Sequence, residues 1–141
     1  MLILADSKSR ACAILVTAGA LSGCYELDPS TVAQTPTPAI CESIAVARVG
    51  NSDASTLQIG LDELKERHLF SAKDLSSIAA GTAYIGMSEA ALVCLASGSI
   101  YGVNVTTTRY GTSKQYLLYD GEYVKRVYVY TTDGIVDGIQ N

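Results

Sequence analysis

The sequence predicts an α+β fold in which N-terminal helices pack on one face of a small antiparallel β-meander of three to four strands. Apolar residues recur at helical spacing between Ile40 and Gly98, with hydroxyl residues and glycines placed as caps and stops. Beyond Gly102 the pattern changes to β-branched and aromatic runs separated by Asp-Gly turn signals. Eight of the nine tyrosines lie at or after Tyr84, so the C-terminal half differs in chemistry as well as in period. Helices followed by strands, rather than alternating with them, point to helices covering one face of an antiparallel sheet.

From Ile40 to Val49, residues Ile40, Ile44 and Ala47 share a helical face, and Gly50 is a terminator. Ser55-Thr56-Leu57-Gln58 reads as a capping box, followed by Leu57, Leu61, Leu64 and His68 at helical spacing. Ser71-Ala72-Lys73-Asp74 opens a third helix carrying Leu75, Ile78 and Ala79. Ser88 caps a fourth, with Leu92, Val93 and Ala96 facing inward and Gly98 ending it. The runs Val105–Thr108, Gln115–Tyr119 and Arg126–Thr131 read as strands, Asp120-Gly121 and Asp133-Gly134 as turns, and Ile135–Ile139 as the closing strand. Alternation puts Val127 and Val129 on the core face and Tyr128 and Tyr130 on the other.

Ahead of this domain the chain reads as an address. Lys8 and Arg10 precede an apolar run over residues 11–20, and then Leu21-Ser22-Gly23-Cys24. A basic start, a short apolar stretch and small residues before a cut site describe a secretory signal over residues 1–23. The run is too short to span a bilayer, for which about 20 apolar residues are needed. The tetrapeptide resembles the bacterial lipobox, which implies cleavage between Gly23 and Cys24 and a lipid on Cys24. The other reading is an apolar helix docked on the domain, with Cys24 an ordinary thiol. By the same resemblance, Tyr25 after the lipidated cysteine points to the outer membrane. Residues 24–39 hold all three prolines, Pro29, Pro36 and Pro38, and are expected to form an extended tether. Residues 40–70 then form a helical segment, and 71–141 the helix and sheet domain.

With Cys12 leaving in the signal and Cys24 acylated, Cys41 and Cys94 remain as an even pair in an oxidising compartment. They read as a disulfide closing a loop of about 50 residues, or as two buried thiols. No Cys-x-x-Cys occurs and His68 is the only histidine, so no metal site is expected.

The order of Ile85-Gly86-Met87-Ser88-Glu89, a helix, Val103-Asn104-Val105-Thr106, Gln115-Tyr116, Val127–Tyr130 and Asp133-Gly134-Ile135-Val136 resembles the small-protein-A/OmlA-like bacterial outer-membrane lipoproteins. These include the small lipoprotein of the β-barrel assembly machinery, and the domain type recurs in β-lactamase-inhibitor-like proteins. The resemblance covers about residues 66–141 and implies two helices on a three-stranded antiparallel sheet. Members usually carry Gly-x-Pro after the capped helix, where this chain reads Ala96-Ser97-Gly98-Ser99-Ile100-Tyr101-Gly102. No segment matches the partner-contacting loop of the assembly-machinery subunit.

No catalytic constellation stands out in the sequence. Ser99 sits one place too early for a Gly-x-Ser-x-Gly elbow, and Gly81, Gly86 and Gly98 are too far apart for a phosphate loop. Asp62, Glu63 and Glu66 lie among Lys65 and Arg67, the pattern of a solvated helix face. Fourteen acidic against ten basic residues, scattered without a basic patch, argue against nucleic acid. No catalytic residue and no cofactor is expected. The expected function is a lipid-anchored protein of the bacterial cell envelope that binds an envelope partner through Tyr116, Tyr128 and Tyr130, with Tyr119 and Tyr123. The same tyrosines also read as ordinary half-buried strand residues. The alternative function is a periplasmic inhibitor or a peptidoglycan- or ligand-binding module.

Overall fold

The computed structural model describes residues 26–50, 54–120 and 125–141. Gly23, Cys24 and Tyr123 lie outside the described residues, so the lipobox and one of the five tyrosines carry no structural account. Four helices, α1 (Thr37–Gly50), α2 (Ala54–Glu66), α3 (Ala72–Ala80) and α4 (Glu89–Leu95), precede four strands, β1 (Ile100–Thr108), β2 (Gly111–Asp120), β3 (Lys125–Thr132) and β4 (Ile135–Gln140). The sheet is an antiparallel meander in the order β1-β2-β3-β4, and the class is α+β.

The stretch after Glu26 is not an extended tether. Leu27 and Val32 are each only 7% exposed, and Val32–Gln34 forms a 3-10 turn leading into α1. Pro36 and Pro38 are accommodated because a helix start leaves its first N–H groups without intrahelical partners, and Pro38 lies in the first turn. The Pro36 carbonyl accepts the Ala39 and Ile40 N–H groups at 3.0 and 3.1 Å. Arg67, at the end of α2, holds the segment down. Its guanidinium donates to the carbonyls of Val32 (3.1 Å) and Thr35 (2.7 Å) and to Thr37 Oγ1 (2.8 Å), while pairing with Glu63 at 2.7 Å. Arg67 is thus a clamp as well as a member of a local ion pair.

Helices α1 and α2 approach closely because Gly60 faces Ile44. A Cβ there would stand 2.7 Å from Ile44 Cγ1, inside any real contact. α2 already includes Ser55, so the expected capping box does not mark its start; Gln58 Nε2 donates instead to Asp62 Oδ1 at 2.9 Å. Ser71 and Asp74 form a reciprocal capping box on α3, and Gly81, at φ +71°, closes that helix in the left-handed region. Ser88 caps α4 by accepting the Ala91 N–H at 3.2 Å. Cys41 of α1 and Cys94 of α4 are joined by a disulfide, with their Cα atoms 4.9 Å apart.

The core runs between the helices and one sheet face, through Ile40, Ile44, Leu64, Ile78, Met87, Leu92, Val129 and Val136. Val93, expected to face inward, is 42% exposed. At about 100° per residue it falls on the side of α4 opposite the buried Ala91, Leu92, Cys94 and Leu95. Asp133 and Gly134 both have positive φ, as a two-residue type I′ hairpin requires. The Asp133 carboxylate also accepts the Thr112 N–H at 3.0 Å, bracing the β1–β2 turn against the β3–β4 turn.

Candidate protein-binding face of the sheet

All four helices lie on one side, and pairing register decides which side chains meet them. Residues directly opposite in antiparallel strands share a face. Tyr116 pairs with Val129 and Leu118 with Val127, so these four face the helices. Leu117 pairs with Tyr128, Gln115 with Tyr130 and Tyr119 with Arg126, and these point the other way. Among the described residues no helix covers that outer face.

One end of the outer face is aromatic. The rings of Tyr101 and Tyr119 meet edge-on with centroids 5.0 Å apart. Tyr101 is 70% exposed and Tyr119 is 40% exposed, beside the half-buried pair Leu117 and Tyr128. The other end is a polar ladder across all four strands. Asn104 Nδ2 donates to Gln115 Oε1 (2.8 Å), Gln115 Nε2 to the Tyr130 hydroxyl (3.0 Å), and that hydroxyl to Gln140 Oε1 (3.1 Å). Beside it lies an open, shallow depression of about 350 Å³, lined mainly by hydroxyl and amide residues with Asp137 among them.

Tyr116 does not belong to this face. It is 4% exposed, with its hydroxyl close to Glu89 at the start of α4. Burial first, and then the Glu89 carboxylate, push its phenol up to about 12. Tyr119, Tyr128 and Tyr130 are on the expected face. Tyr101 joins them although no strand was expected there: β1 extends back to Ile100 through a register shift before Gly102. The signal for it was present in Ile100-Tyr101, a β-branched and aromatic pair, but Gly102 interrupts the run.

Two carboxylates whose protonation is shifted, Asp74 and Glu89, lie away from this face. Asp74 is buried, which alone would raise its carboxyl, but hydrogen bonds from Tyr84 (2.8 Å) and from Ser71 and Ser88 hold it below the usual range. Burial would likewise raise Glu89, but Lys114, Thr131 and Tyr116 outweigh it and hold the carboxyl below its usual range. Both clusters tie elements together: Asp74 joins the caps of α3 and α4, and Glu89 joins α4 to β2 and β3. His68 is exposed beyond the end of α2 in the left-handed region, at φ +53°.

These carboxylates set an expected acid limit. Their folded pKa values lie below the unfolded ones, so their contribution is complete above about pH 4–4.5 and is lost as pH falls through the folded values. The melting temperature should therefore decline below about pH 4, and the decline should be shallower in Asp74→Asn. A melting temperature flat across that range would exclude the assignment.

Among the described residues, no group of three or more His, Cys, Asp or Glu side chains could hold a metal ion, and no helix is long and apolar enough to cross a membrane. Comparison with protein-family models, curated proteins and solved structures finds no match to this chain.

Proposed function

We propose that this chain is an exported, lipid-anchored protein of the bacterial cell envelope that binds another envelope protein through the uncovered face of its sheet. The observation that carries the binding reading is the aromatic end of that face, where Tyr101, Leu117, Tyr119 and Tyr128 stand beside a preorganised polar ladder. A half-wet cluster of tyrosines with a polar rim has the anatomy of a protein interface, because each ring contributes large contact area at low entropic cost. The anchoring reading rests on the basic start, the apolar run and Leu21-Ser22-Gly23-Cys24. The Cys41–Cys94 disulfide supports it, since such bonds persist in oxidising compartments. The residue order shared with small-protein-A/OmlA-like lipoproteins and Tyr25 after Cys24 favour the periplasmic face of the outer membrane. No feature of the sheet face suggests catalysis, and the reading is non-enzymatic.

Tyr119→Ala is expected to reduce crosslinking to the partner in intact cells several-fold. The edge-on contact it removes contributes only about 0.5–1.5 kcal/mol to stability, so the fold should persist. Unchanged crosslinking, measured beside a thermal melt, would return these tyrosines to ordinary strand residues. Cys24→Ala should leave the protein unprocessed or soluble in a membrane fractionation; normal anchoring would remove the lipoprotein reading.

The polar depression favours a second reading, a module that binds a glycan or peptide such as a peptidoglycan fragment. Muropeptide binding abolished by Gln115→Ala but retained in Tyr119→Ala would select it.

A further inference from the structure

The two edges of the sheet end differently. At β4 the chain covers its own edge: Gly86 N–H donates to the Val136 carbonyl (2.7 Å), Val136 N–H to that of Met87 (2.9 Å), and Glu89 N–H to that of Gly134 (2.8 Å). β1 is the opposite edge and, among the described residues, pairs only with β2. Among the described residues, no backbone hydrogen bond outside that pairing reaches Ile100–Thr108. Alternate residues along this nine-residue strand therefore direct N–H and C=O groups outward, where none of the described residues meets them. Natural sheets blunt such edges with charge, proline or brevity. β1 has none of these, since no Lys, Arg, Asp, Glu or Pro occurs from Ile100 through Thr108. Val103 and Val105 add to this. They lie on the sheet face that the helices cover elsewhere, yet they are 42% and 58% exposed because the helical layer stops short of β1.

We propose that β1 is a dimerisation edge that receives β1 of a second copy in antiparallel pairing, joining two four-stranded sheets into one continuous sheet. The occupant follows from self-complementarity. A two-fold axis perpendicular to the sheet places like faces together. In the register centred on Asn104, Val103 of each copy stands opposite Val105 of the other, so four exposed valines cover one another where the helical layers end. On the polar outer face Asn104 meets its counterpart and Thr106 stands opposite Gly102. The chain as a whole carries a net charge of −4, but the strand itself is neutral, so pairing like with like meets no local repulsion. A partner chosen by charge would find nothing to read along it. A single strand edge buries little area, so the association is weak and concentration-dependent. This inference rests on the edge alone and is independent of the outer-face reading.

The test is sedimentation equilibrium of the full-length protein over a wide concentration range, combined with hydrogen exchange. The mass should rise from one chain to two, and the outward amides of β1 should exchange several-fold more slowly as the dimer forms. Val105→Lys should remain one chain at concentrations where the parent is two, with an unchanged thermal melt. Asn104→Lys, exposed on the other face of the same strand, would set two lysines directly opposite each other at the two-fold axis; it should do the same and serves if the first variant is unstable. A single chain at every concentration would overturn the proposal and leave the edge to a different partner. So would a dimer whose β1 amides exchange at a concentration-independent rate, or one unaffected by a lysine on this strand.

Discussion

Replacing Cys94 with serine is expected to lower the melting temperature by about 10–20 °C, equivalent to about 2–5 kcal/mol. The bond joins residues 53 apart in sequence, so it removes much of the freedom of the unfolded chain across α2 and α3. It also compensates for a local weakness. α4 has only seven residues, too few to form a stable helix alone, yet it contributes Ala91, Leu92 and Leu95 to the core. The disulfide holds it against α1. Serine would in addition place a hydroxyl where Cys94 is 4% exposed. The parent protein melted in strong reductant should lose a similar amount of stability. A melting temperature unchanged by both treatments would show that packing alone holds α4.

Arg48→Ala is expected to cost about 2–4 kcal/mol in urea unfolding. The Arg48 guanidinium donates to the carbonyls of Ile78 (2.8 Å) and Leu95 (2.9 Å), near the C-terminal ends of α3 and α4. The last carbonyls of a helix have no intrahelical partner, and their dipoles favour a cation. Ile78 and Leu95 are buried, so water cannot readily replace the lost donors. Gly81 makes the geometry available, because a Cβ there would stand 2.7 Å from Arg48 Nε. Arg48→Lys should restore only part of the stability, since an ammonium cannot reproduce a planar fork aimed at two separate carbonyls. Arg48 and Cys41 both tie α1 to α4. The combined variant should therefore lose less than the sum of the two single losses. Strict additivity would show that the two ties act independently.

The sequence by itself determined the class, the order of elements and most of their ends. Ser71 with Asp74, Ser88, and Asp133-Gly134 could be read because each acts on backbone groups two or three residues away. A cap or a tight turn carries its own geometry within a few positions. The segment over residues 26–39 departs from the expected extended tether for the opposite reason. Leu27 and Val32 are buried, and the surrounding carbonyls are satisfied by Arg67, a residue more than 30 positions away whose sequence neighbours suggest only a solvated helix face.

The binding face divides along the same line. Tyr128 and Tyr130 could be placed together because alternation within one strand is local. Assigning Tyr116 to their side required the β2–β3 register, and a shift of one residue exchanges the two faces of a strand. The register sets Tyr116 against Val129 and seals it over Glu89, while Tyr101, outside every expected strand, reaches the outer face through an irregularity in β1. Only tertiary structure could decide these points, because strand pairing, side-chain burial and the edge position of β1 depend on contacts between residues far apart in sequence, whereas caps and turns are settled within a single turn of chain.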